Sequence, residues 1–161
     1  MNVNLNTSQF VTQNVSWLDT KPNNIMSGNF TKISYIAPDF TMNGLYMQFP
    51  VDITTLDYID DKAQMKFNPH SVQNITIVKE YTKMEHKLLD NYMQSHQHQP
   101  ALKKVILLSK QLYSGFMKIY KESYANFPKN NKQCFCVKIS GVWETIDSCG
   151  LTYKLYGGSQ L

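Results

Sequence analysis

Polar side chains dominate the first thirty positions, and Phe10, Val11, Val15, Trp17 and Leu18 are scattered apolar anchors among them. That pattern predicts an N-terminal arm over residues 1–30, with Trp17 docking it onto the domain and Pro22-Asn23-Asn24 as a turn. From Phe30 the pattern changes. Phe30 to Ile36 and Leu45 to Ile53 are rich in β-formers. In the second run Leu45, Met47 and Phe49 alternate with Tyr46 and Gln48, the period of a half-buried strand. The two runs predict a hairpin or meander through residues 37–44, where Pro38-Asp39 and Asn43-Gly44 supply turn chemistry. Pro50 then belongs at an edge or strand end.

Val78, Tyr81, Glu85, Leu88 and Tyr92 recur at three- and four-residue steps, and Ile75 and Leu89 widen the stripe. This predicts an amphipathic helix over about 72–95, opened by Asn68-Pro69-His70-Ser71 with Ser71 or Asn74 as N-cap. A second helix is expected from Leu102 to Leu112, stopped at Ser114-Gly115. Strands follow: Phe116 to Tyr120, Cys134 to Trp143 and Leu151 to Tyr156, with Ala125 to Gln133 as a lysine-bearing loop and Glu144 to Gly150 as the last turn. The expected fold is α+β, with an antiparallel sheet and two helices inserted between N-terminal and C-terminal strands. Residues 31–157 form its one domain and 158–161 a short tail.

Composition narrows the class. The 161 residues suffice for a sizeable core. Apolar content of 42% with 12% aromatics fits a folded chain. All 16 basic residues are lysines, a skew that reads as the stamp of an A/T-rich genome. Anion binding must therefore use ammonium point charges instead of bidentate guanidinium forks. A net charge of +4 is a mild excess, compatible with a polyanion partner or with a structural role. Three cysteines, two of them as Cys134-Phe135-Cys136, make no disulfide framework. With no signal peptide pattern and no apolar run long enough to span a bilayer, a soluble intracellular protein in a reducing compartment is expected.

The functional pattern lies in the last three strands. Phe116, Lys118 and Tyr120 share one face of the first. Cys136, Lys138 and Ser140 oppose Val137 and Ile139 in the second, and Thr152, Lys154 and Tyr156 oppose Leu151, Tyr153 and Leu155 in the third. Ammonium groups that track phosphates beside rings that stack bases are what single-stranded nucleic acid requires. The plainer alternative is an amphipathic sheet whose wet face holds lysine and tyrosine. Other candidates are thinner. His96 and His98 lack a third metal ligand nearby, and Asp52, Asp57, Asp60 and Asp61 read as a solvated acidic stretch before a Mg²⁺ site. His86 reads as a surface residue, and Cys149 has no histidine in the following strand to activate it. No phosphate loop or hydrolase motif occurs, so no enzyme, cofactor or metal is expected.

The run Val137-Lys138-Ile139-Ser140-Gly141-Val142-Trp143, joined through Glu144 to Gly150 with Leu151-Thr152-Tyr153-Lys154-Leu155-Tyr156, resembles the closing hairpin of small proteins of large DNA viruses. Some of these are similar to the OB-fold single-stranded-DNA-binding proteins of viruses and phages. The resemblance covers about a third of the chain. It implies an OB-like partial barrel that protects single-stranded DNA in replication, in host cytoplasm or nucleus. Lys138, Trp143, Tyr153, Lys154 and Tyr156 would line its groove, joined by Lys118 and Tyr120. Many such proteins end in an acidic tail, whereas this sequence ends Gly157-Gly158-Ser159-Gln160-Leu161. The alternative function is a virion structural or assembly protein that forms homo-oligomers by inserting Phe10, Val11 and Trp17 of the arm into a neighbour.

Overall fold

The long apolar stripe and the C-terminal hairpin organise the computed structural model, which describes residues 4–23, 25, 27–59, 62–96, 102–120 and 133–159. Its strands are β1 (Val15–Pro22), β2 (Asn29–Ile36), β3 (Thr41–Asn43), β4 (Leu45–Gln48), β5 (Thr55–Ile59) and β6 (Lys62–Lys66). Helix α1 (Ile75–His96), β7 (Lys103–Val105), α2 (Leu107–Ser114), β8 (Phe116–Ile119), β9 (Gln133–Glu144) and β10 (Ser148–Ser159) complete them. Among the described residues the ten strands form one sheet in the order β1-β2-β9-β10-β8-β6-β5, with β3 on β2, β4 on β9 and β7 on β10. The fold is α+β, but two expectations change. The sheet is mixed, because β7 and β8 run parallel to β10. Its path does not close, and the OB-like partial barrel is not borne out by this strand order. No described helix is long and apolar enough to cross a membrane.

β9 and β10 pair from Cys149↔Glu144 to Ser159↔Gln133, the expected hairpin. The free edge of β9 is shared. β2 pairs along it at Asn29–Lys32, and β4 takes over at Leu45–Gln48. β2 makes its own hairpin with β3 instead of with β4. A bulge marks the handover: Ile139 faces Tyr153 and Gly141 faces Thr152, leaving Ser140 without a partner across the ladder.

Helix α1 buries Val78, Tyr81, Met84, Glu85, Leu88, Leu89 and Tyr92, close to the stripe read from sequence. These pack with Ile33, Leu45, Met47, Val137, Ile139, Leu151 and Leu155 from one sheet face. Polar ends on that helix are satisfied against the sheet. The Tyr81 hydroxyl donates to the Gln48 carbonyl at 2.6 Å, and the Tyr92 hydroxyl to Glu144 Oε1 at 2.5 Å. Asn74 caps nothing. Its buried amide instead ties Asp52 N and O and Asn68 O, fixing the approach to the helix.

Two segments depart from expectation. Residues 15–22, expected within an arm, are strand β1, and Leu5 is buried beside Met47. Trp17 does dock: its Nε1 donates to Asn91 Oδ1 at 2.8 Å and its ring meets Tyr92 edge-on at 5.3 Å. The second helix begins at Leu107, since Lys103–Val105 pair with Ser148–Gly150 as β7. Helix α2 ends as expected at Gly115, in the left-handed region at φ 73°. The loop read at 125–132 and the tail residues 160–161 lie outside the described residues.

Gly141 is a point within β9 where the sheet tolerates little. A β-carbon there would sit 2.1 Å from the Thr31 carbonyl oxygen and 2.9 Å from Phe30 Cζ. Gly141→Ala must prise β2 from β9. We expect a loss of at least about 1–3 kcal/mol, read as a lower urea midpoint; an unchanged midpoint would show the ladder can yield there.

Candidate nucleic-acid interface

Both helices lie on the sheet face that carries Ile139 and Leu155, as the Tyr153 to Gln111 contact and the Glu85 contacts to α2 show. Alternation therefore sends the neighbouring residues to the opposite face, on which no described helix packs. Leu155 pairs in parallel with Ile119, which places Lys154 abreast of Lys118 and Tyr156 abreast of Tyr120. Lys154 pairs directly with Lys138, and Lys138 with Tyr46. On the other side Lys118 pairs with Gln64, and Gln64 with Asp57. One row thus crosses six strands: Tyr46, Lys138, Lys154, Lys118, Gln64, Asp57. Adjacent strands lie about 4.8 Å apart, so the three ammonium groups span roughly 10 Å of backbone spacing.

Rings lie under this row. Lys138 Nζ is 5.4 Å from the Tyr46 centroid, and Lys154 and Lys118 are 4.7 and 5.7 Å from that of Tyr120. Tyr120 and Tyr156 sit 6.0 Å apart, tilted by 41°. Such cation–π contacts offset about 0.5–1 kcal/mol each at exposed positions. Carboxylates do not help. Among the described residues the one ion pair is Lys104 with Asp90 at 2.7 Å. Lys138 and Lys154 are therefore like charges directly opposite each other, an arrangement that costs stability in a sheet.

Of the seven residues singled out from sequence, Lys118, Tyr120, Lys138, Lys154 and Tyr156 meet on this face. Tyr153 does not. It points to the helix side, its hydroxyl 2.5 Å from Gln111 Oε1, and burial with the nearby Glu85 charge pushes its pKa up to about 12. Trp143 is on the open side but beyond the bulge, flat against Gly150, where a β-carbon would lie 2.6 Å from its ring. Tyr46, Phe30 and Lys32 also lie there. They were passed over because no sequence signal says which strands become neighbours.

The remaining candidates fall in different places. Burial pushes the Cys149 thiol up to about 11 and Cys136 to about 11, the reverse of what activates a nucleophile. His86 is half-buried, with Nδ1 3.5 Å from Lys104 Nζ. His96 Nδ1 is 2.9 Å from the Tyr92 carbonyl, and its ring is 4.2 Å from that of Tyr92. His98, Asp60 and Asp61 lie outside the described residues. Among those described, no three His, Cys, Asp or Glu side chains gather as a metal site would need. Comparison with known proteins finds no matching family model, no matching curated protein and no matching solved structure.

Proposed function

We propose that this protein is not an enzyme but binds single-stranded nucleic acid across the open sheet face, with Lys138, Lys154 and Lys118 on phosphates and Tyr46, Tyr120 and Tyr156 under the bases. One observation carries the reading: two lysines directly opposite each other, a third alongside, and none of the three in an ion pair with a described carboxylate, Asp57 standing two strands beyond Lys118 in the row. A sheet selected only for stability would place acids among them. A polyanion supplies the missing charge. The rings beneath suit unpaired bases, whose faces a duplex would hide. The assembly alternative relied on Phe10, Val11 and Trp17 entering a neighbour. Phe10 lies 6.1 Å from Tyr35 and Trp17 lies against Tyr92, both within the same domain, while Val11 is exposed.

Titrating a labelled oligothymidylate at two salt concentrations tests this. Affinity is expected to fall with salt at a log–log slope of about −0.7 per neutralised phosphate, hence roughly −2 for three lysines. Lys154→Gln should remove about 0.7 from that slope. The same variant, unliganded, should be as stable as the wild type or about 0.2–1 kcal/mol more stable, since one member of a repelling pair is gone. If Lys154→Gln binds like the wild type, or unfolds more easily, the row is structural and the reading fails.

A further inference from the structure

We infer that the fork at which β2 hands the edge of β9 to β4 is a pocket for a single nucleobase of the bound strand. The inference rests on the open-face reading and adds base preference to it. Phe30, Lys32, Asn43, Gly44, Lys138 and Ser140 line a concavity of about 170 Å³ there. Its origin is topological. β2 leaves β9 after Lys32↔Gly141, β4 joins at Leu45↔Ile139, and the bulged Ser140 faces neither.

The lining suits a base. The Phe30 ring is a flat apolar wall, held in place over Gly141, whose missing β-carbon is what admits it. Asn43 offers an amide with both donor and acceptor, and Ser140 a hydroxyl. Neither side chain has a hydrogen-bond partner among the described residues, although Ser140 is half-buried. Lys138 belongs to both the pocket and the lysine row, so a nucleotide whose phosphate rests on that row brings its base to Phe30. Gly44, at φ 102°, carries the turn around the rim, and a side chain there would press on Lys138 Cε at 3.3 Å. An asparagine amide pairs best with adenine, through N6 and N7. Adenine is the expected occupant.

The test uses the full chain with twelve-residue oligomers of deoxyadenylate, deoxythymidylate and deoxycytidylate, for the wild type, Phe30→Leu and Asn43→Ala. The wild type should bind the adenine oligomer severalfold more tightly than the other two. Phe30→Leu keeps apolar bulk but removes the stacking plane, and should weaken all three on the order of tenfold. Asn43→Ala, at an exposed position that cannot unfold the domain, should narrow the difference between them. Equal affinity of the wild type for the three oligomers, or variants that behave like the wild type, overturns the pocket while leaving the lysine row standing. Failure of the wild type to bind any oligomer overturns both.

Discussion

Glu85→Leu is expected to cost roughly 2–6 kcal/mol of folding stability, at about 1–3 kcal/mol for each buried backbone donor left without an acceptor. Glu85 is fully buried on the apolar stripe of α1, where a leucine would match its neighbours. Its carboxylate has a specific task. Oε2 accepts from Leu108 N at 3.0 Å, Oε1 from Ser109 N at 2.9 Å, and the Ser109 hydroxyl also donates to Oε1. These are first-turn amides of α2, which its own N-cap, Ile106, cannot satisfy with a side chain. A carboxylate at a helix N-terminus also meets the favourable end of its dipole. The outcome is read by urea unfolding. A loss of that size is a large share of the 5–15 kcal/mol that a domain usually has. Glu85→Gln keeps one acceptor oxygen and should fall between. A leucine variant within about 1 kcal/mol of the wild type would mean that water or a shifted helix satisfies those amides instead.

Exchanging Lys118, Lys138 and Lys154 together for glutamine is expected to weaken oligothymidylate binding on the order of 10²–10³-fold in low salt and to flatten the salt dependence by about 2. Three counterions are released, each contributing about 0.7 to the slope. The side chains are exposed or half-buried and lie on the face away from both helices. The unliganded triple variant should therefore unfold at the same urea concentration as the wild type, or higher. Binding and stability are predicted to move in opposite directions, which a merely solvated lysine face would not produce. A triple variant with unaltered affinity would sink the proposed function, because no other described part of the sheet carries three basic groups in one row.

Much of this architecture was legible beforehand where a local period reports burial. The stripe of α1 repeats at helical spacing because one side meets the sheet, and Cys134 to Tyr156 alternate because each strand has one covered face. Tyr153 is instructive. Alternation already set it beside Leu151 and Leu155 on the covered side, and only the likeness to OB-fold proteins moved it into a groove. The bond to Gln111 agrees with the alternation. β1 and β7 were not legible for a different reason. Ser16 to Lys21 is mostly exposed and carries little hydrophobic signal, while Lys103–Val105 becomes a strand because the start of β10 offers it an edge. The spacing set Glu85 on the stripe but not its task, since its partners are amides 23 and 24 residues away.

From sequence alone came the α+β class, the length and covered side of α1, the closing hairpin, and the alternation that puts a lysine on the wet side of each terminal strand. These are decided within a few residues, by side-chain spacing against the helical and extended repeats. Tertiary structure alone decided that β8 lies parallel to β10, that Lys138, Lys154 and Lys118 fall in one row, and that Ser140 opens a fork beside Phe30. Such facts depend on register between segments far apart in the chain. Register is set by how the buried sides of all the strands fit together around α1 and α2, which no local period encodes.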